Sequence, residues 1–135
     1  MEIRLSSFKK NYGLEQLLSK DESTYWYTDG SLPHYIEISF RKRTYVEYVQ
    51  ILFSFSKDDS YTPDYFEVLV GDTKDTLQKY KSITMVEPEG YTLVNINLHC
   101  VYIYINILRN CQEGRDSHVR HLIVNTQQPR DMQCK

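Results

Sequence analysis

Val101-Tyr102-Ile103-Tyr104-Ile105-Asn106-Ile107-Leu108 decides the fold. Val101, Ile103, Ile105 and Ile107 fall on one side of an extended chain, with Tyr102, Tyr104 and Asn106 on the other. A period of two with β-branched residues on the inner face marks a half-buried strand. Working outward, the pattern recurs. Ile36, Ile38 and Phe40 alternate with Glu37 and Ser39. Val49, Ile51, Phe53 and Phe55 form a second run, separated from the first by a charged connector over Arg41–Thr44. Phe66, Val68 and Val70 form a third, stopped by Gly71-Asp72. Ser82–Val86, the residues around Leu93 and Asn95, and Val119–Thr126 complete the set. Turn-forming clusters punctuate them: Thr28–Pro33, Lys57–Pro63, Glu87–Gly90 and Asn110–Asp116. Leu14–Leu18 is the one clear helical turn, and Thr73–Lys81 has room for another. Many short strands with almost no helix predict an all-β antiparallel sandwich or jelly roll. One domain is expected over 1–127, followed by a polar tail at 128–135 that frays.

A chain of 135 residues with 41% hydrophobic and 25% charged residues buries a core without a disulfide or metal staple. A net charge of −2 argues against a broad electrostatic grip on nucleic acid or anionic membrane. Tyr outnumbers Phe by 12 to 5, which suits half-buried strand positions and, alternatively, a stacking surface. Cys100, Cys111 and Cys134 match no zinc spacing. Met1–Lys10 lacks an apolar segment, and no apolar run approaches the ~20 residues of a membrane-spanning helix. The chain therefore reads as intracellular, with reduced thiols.

No catalytic constellation survives inspection. Asp116, Ser117 and His118 are adjacent, so their side chains cannot line up in hydrogen-bond series. His118 and His121, three apart on a strand, face opposite ways, and His34 and His99 add no ligand string. The glycines are isolated, so no phosphate-cradling loop is present. Asp58-Asp59 and Asp21-Glu22 read as solvated turns or parts of a structural calcium site. The expectation is a binding domain that is not an enzyme and has no cofactor or catalytic metal. Trp26 reads as a core or loop-anchoring residue.

Two loops combine rigid punctuation with amides, charges and ring side chains: Lys57–Pro63, and Asn110–Arg120. That mixture suits hydrogen bonding to an extended peptide. It equally suits a solvated turn closed by an Arg115–Asp116 or Asp116–Arg120 pair.

From Leu5 to Thr126 the chain resembles the DOC-domain subunit, subunit ten, of the anaphase-promoting complex. The matching stretches are Leu5-Ser6-Ser7, Gly13–Leu17, Glu22–Trp26, Asp29-Gly30-Ser31 with Pro33-His34, Ser60–Pro63, Val70-Gly71, Val86-Glu87-Pro88 with Gly90, and Gly114–Arg120. The resemblance implies a jelly-roll sandwich of the galactose-binding-like, discoidin-related type. It implies a nuclear and cytoplasmic, non-catalytic subunit of a ubiquitin ligase whose chemistry resides in RING and cullin subunits. The partners implied are the other subunits of that complex, a WD-repeat coactivator and destruction-box substrates. With the coactivator the domain would act as a co-receptor that promotes processive ubiquitination in the cell cycle. The site residues carried over are Ser60, Tyr61, Thr62 and Pro63, then Asn110, Gln112, Gly114, Arg115, Asp116, Ser117, His118 and Arg120, with His34 as a further candidate. In this reading Arg115 and Arg120 hold acidic or carbonyl groups and Asp116 orients one of them. Many relatives end in an Ile-Arg tail that docks on a TPR subunit, whereas this chain ends Met132-Gln133-Cys134-Lys135. A discoidin-like carbohydrate- or lipid-binding module is the alternative.

Overall fold

Residues 1–21 and 23–127 are described by a computed structural model. The expected tail at 128–135, Cys134 and the Glu22 half of Asp21-Glu22 lie outside the described residues. The strands are β1 (Glu2–Leu5), β2 (Trp26–Tyr27), β3 (His34–Ser54), β4 (Pro63–Gly71), β5 (Gln78–Thr84), β6 (Glu89–Asn110), β7 (His118–Val119) and β8 (His121–Thr126). Two short helices, α1 (Leu14–Leu18) and α2 (Phe55–Asp58), interrupt them. Gly13 begins α1, and its N–H donates to Gln16 Oε1 at 2.8 Å, a back-reaching contact that a helix start needs.

The architecture rests on one long antiparallel ribbon. β3 and β6 run 21 and 22 residues. Straight, each would span about 70 Å. Yet Ile36 and Ile38 from the first half of β3, and Val49, Ile51 and Phe53 from the second, share one core cluster. The ribbon therefore folds over. The corner is where the register shifts between the pairs Ser39↔Tyr102 and Thr44↔Cys100. One layer runs β1, the first half of β3, the second half of β6, β4 and β5. The other is β8, the second half of β3 and the first half of β6. This is a jelly-roll sandwich whose strand pairs are antiparallel. Its interior holds Trp26, Phe53, Phe66, Ile103, Ile105 and Ile107.

Folding the ribbon brings both of its ends to one pole of the sandwich. His34, Ser54, Glu89 and Asn110 end the two strands there, and the corner lies at the other pole. The loops at the first pole form the candidate site.

Several elements differ from expectation. Arg41–Thr44 is continuous strand, because a ribbon turning a corner exposes its outer residues and tolerates charge there. Phe55 opens α2 instead of continuing the strand face, and Lys57–Pro63 is helical turn up to Tyr61, with Pro63 already in β4. The turn expected within Thr73–Lys81 is a 3₁₀ turn at Lys74–Thr76. β5 starts at Gln78 instead of Ser82, since an exposed edge strand carries lysines that mask its period.

Candidate functional site

The Asn110–Arg120 segment is built from the inside by its own polar groups. Asn110 Nδ2 donates to the carbonyls of Gly114 and Asp116 at 3.0 and 3.1 Å, and Asn110 Oδ1 accepts from Ser117 Oγ at 2.7 Å. His34 Nε2 lies 2.6 Å from the Arg115 carbonyl, which only accepts, so the ring presents an N–H there. Asp116 takes hydrogen bonds from Thr28 Oγ1 at 2.8 Å and from the Gly30 N–H at 3.1 Å. Burial pushes the Asp116 carboxyl up, but the Gly30 and Thr28 donors outweigh it and hold it below its ordinary value. Thr28 Oγ1 also accepts from the Ser117 N–H at 2.9 Å. His34, Asn110 and Ser117 are buried. Their chemistry is spent on the shape of the loop.

The second loop is fastened to the first. The Cys111 N–H donates to the Thr62 carbonyl at 2.8 Å. Gly114 lies directly against the Ser60 carbonyl, so that any Cβ at 114 would overlap it. Gln112 and Glu113 adopt left-handed backbone, with φ of 55° and 60°. Thr62 and Pro63 are buried, Ser60 is half-buried, and Tyr61 is exposed.

Asp58 is the hub beneath both loops. It is 3% exposed and is not a solvated turn residue. Its Oδ2 accepts from Arg120 Nε at 2.9 Å, and its Oδ1 from an Arg120 terminal nitrogen at 2.7 Å and from His118 Nδ1 at 2.9 Å. Burial raises the Asp58 carboxyl, yet these donors hold it below its ordinary value. Asp59, its neighbour, is exposed. The closing pairs expected within the second loop are replaced: Arg120 pairs with Asp58, and Asp116 serves Thr28 and Gly30. Arg120 is 7% exposed, so it holds the loop and is withdrawn from the ligand role expected of it.

Around His118 stands a cluster of rings. Tyr61 stacks on it at 4.4 Å and 6°, Tyr25 sits at 4.4 Å and 31°, and Tyr27 meets it edge-on at 4.3 Å. Tyr12 extends the cluster against Tyr25 and Tyr27. Arg120 lies over the Tyr25 ring at 4.6 Å, and Lys9 over Tyr27 at 4.8 Å. Burial, with the neighbouring Tyr61 hydroxyl, pushes Tyr27 up to about 12. Tyr12, Tyr25 and Tyr27 belong to the site and carry no sequence expectation of their own, and Asp58, expected as a solvated turn or calcium-site residue, is its buried hub. The signal for two of them is alternation in Tyr25-Trp26-Tyr27, where Trp26 is fully buried, donating to the Ser7 carbonyl at 2.8 Å, while its neighbours face the cluster.

Of the expected site residues, Tyr61, Gln112 and Arg115 reach solvent, and Ser60, Gly114 and Asp116 do so in part. His34, Thr62, Pro63, Asn110, Ser117, His118 and Arg120 form the supporting layer. The arrangement is a pre-shaped polar rim over an aromatic floor. Cys100 and Cys111 are buried free thiols, Cys111 beneath the rim beside Gln112, and burial pushes Cys100 up to about 11.

The family model described as "Anaphase-promoting complex, subunit 10" matches residues 1–134. The chain is 37% identical over 128 residues to anaphase-promoting complex subunit 10 of Homo sapiens, covering 90% of this chain and 69% of that protein. It is 34% identical over 122 residues to the Schizosaccharomyces pombe subunit 10, covering 85% and 65%. It is 28% identical over 123 residues to subunit DOC1 of Saccharomyces cerevisiae, covering 85% and 49%. Among solved structures, the family 32 carbohydrate-binding module of Clostridium perfringens NanJ, in complex with galactose, superimposes with a TM-score of 0.75 at 13% identity, over 91% of each chain. A second C. perfringens module, CBM32-5 of GH89, in complex with GalNAc-β-1,3-galactose, gives 0.74 at 14% identity, over 92% and 94%. At these identities the similarity concerns the fold, a galactose-binding-like sandwich.

Proposed function

The chain belongs to the anaphase-promoting complex subunit 10 family, and from that premise we propose that it is a non-catalytic substrate-recognition subunit, a destruction-box co-receptor working with a WD-repeat coactivator in nucleus and cytoplasm. The observation that carries this reading is the fusion of the two loops. Gly114 against Ser60, and Cys111 against Thr62, turn two separate stretches into one surface presenting Tyr61, Gln112 and Arg115. A disordered degron must be ordered on binding, which costs affinity. A rim already fixed by Asn110, His34 and Asp116 adds little to that cost. Sharing the degron with a coactivator lets two weak contacts act together through effective concentration. The other subunits of the complex are its expected partners, and ubiquitin transfer belongs to them.

The test is a complex reconstituted with this chain carrying Tyr61→Ala, Gln112→Ala and Arg115→Ala together. The expected outcome is shorter ubiquitin chains per encounter on a destruction-box substrate, with the variant still incorporated into the complex. Unchanged processivity would refute the reading. A carbohydrate module is the second reading, favoured by the Tyr12, Tyr25, Tyr27 and Tyr61 rings and by the sugar-bound fold relatives. Saturable binding of galactose to the isolated chain would support it.

A further inference from the structure

His118 is bonded on one side only. Its Nδ1 donates to Asp58 at 2.9 Å, while Nε2 is buried and has no hydrogen-bond partner among the described residues. Asp58 only accepts, so a ring proton sits on Nδ1, and in that tautomer Nε2 is a lone-pair acceptor. A buried acceptor without a donor is unfavourable, and proteins rarely keep one without a use. The rings that enclose it are not equally buried: Tyr25 and Tyr27 are half-buried and Tyr61 is exposed. Tyr27 lies in β2, paired to His118 in β7, and its N–H donates to the Tyr12 carbonyl at 3.0 Å. Tyr25 is pinned beneath Arg120. Tyr61 ends a three-residue turn, is 39% exposed, meets Tyr27 edge-on at 5.6 Å, and stacks on one face of His118.

We propose that Tyr61 is a movable cover, and that His118 Nε2 beneath it is the specificity-determining acceptor of the site, taking an N–H donor from an extended peptide. The donor is a backbone amide or an amide side chain of the ligand. This inference rests on the reading of the surface as a peptide receptor. When Tyr61 swings outward, Asp58 keeps the imidazole in its orientation, and Arg120 keeps Asp58 in place. The displaced Tyr61 ring then lies against the apolar atoms of the ligand. Nε2 thus finds in the complex the partner it lacks among the described residues.

Two measurements test the proposal. The first needs no ligand. The intact chain is acylated with diethyl pyrocarbonate and each histidine is followed by mass spectrometry, with exposed His99 as the internal reference. His118 is expected to react about tenfold slower than His99 in the wild type, and to approach the His99 rate in Tyr61→Ala. An unchanged, slow His118 in Tyr61→Ala would overturn the cover. The second compares His118→Asn with His118→Gln in the complex with coactivator, using a destruction-box peptide as probe. An Asn amide reaches Asp58 as Nδ1 does but ends short of Nε2, whereas Gln reaches the Nε2 position. His118→Asn is expected to weaken the peptide about tenfold, and His118→Gln to retain most binding. Wild-type affinity in His118→Asn, with weakened binding in Arg115→Ala, would reject His118 as the acceptor and leave the peptide receptor standing. Wild-type affinity in both would reject the receptor as well. If His118→Asn fails to fold, the acylation result decides alone.

Discussion

Asp58 and Arg120 form a two-point ion pair inside the loop cluster, with nitrogen–oxygen distances of 2.9 and 2.7 Å and both residues more than nine-tenths buried. Asp58 follows the end of β3, and Arg120 separates β7 from β8. Their contact therefore ties the ribbon end to the loop that carries Gln112 and Arg115. Removing one partner leaves the other charge buried without its counterpart. Asp58→Ala is expected to lower unfolding stability by about 3–5 kcal/mol in urea titration. The double replacement Asp58→Leu with Arg120→Met should recover most of that loss.

The same carboxyl sets an acid dependence. In the folded chain it titrates below its ordinary value, and in the unfolded chain at about 3.9. As pH falls, the unfolded state takes up the proton first. The contribution is complete above about pH 5, and it is lost as pH drops through the folded value. Asp116 and Glu89, also lowered, act with the same sign. Urea midpoints between about pH 6 and about pH 3 should fall more steeply in the wild type than in Asp58→Asn, which starts lower and stays flatter.

Gly114 is required for a steric reason. Its backbone touches the Ser60 carbonyl, where a methyl group has no room. Gly114→Ala is expected to cost about 1–3 kcal/mol and to separate the two loops, with binding lost alongside. Gly30 is a fair control, since a Cβ there meets only Ser7 Oγ at 3.9 Å. Gly30→Ala should be neutral or slightly stabilising in the same melt.

Asp59 holds φ 55° and ψ −120°, a conformation that an L residue adopts under strain. Asp59→Gly is expected to relieve this and to raise stability by about 1 kcal/mol, while Asp59→Val lowers it. Thermal melts of the two variants against wild type check the sign.

The fold was legible because its inner faces carry uninterrupted alternation. Ile103, Ile105 and Ile107, and Ile36 with Ile38, declare strands wherever one side is buried. The signal fades where burial does. β5 shows water Gln78, Lys79 and Tyr80, so its start is unreadable, and the corner at Arg41–Thr44 looks like a loop because its side chains point outward. The loops of the site were legible as polar segments, but the division of labour within them was not. Asp58 and Asp59 are the same residue type one position apart, one buried at a hub and one in water. Only the meeting of α2 with β7 decides which. The rings of Tyr25 and Tyr27 join His118 across about ninety positions of chain, a separation that no local pattern records.

The central claim is that the fused rim contacts the degron, and proximity tests it most directly. A photo-crosslinking amino acid at Gln112, in a complex reconstituted with coactivator and a destruction-box substrate, is predicted to capture the substrate within its destruction box. The same group at His99, near the corner at the other pole, is predicted to capture none. Capture from position 99 equal to that from position 112, or no capture from 112 while the substrate is bound and ubiquitinated, would contradict the account.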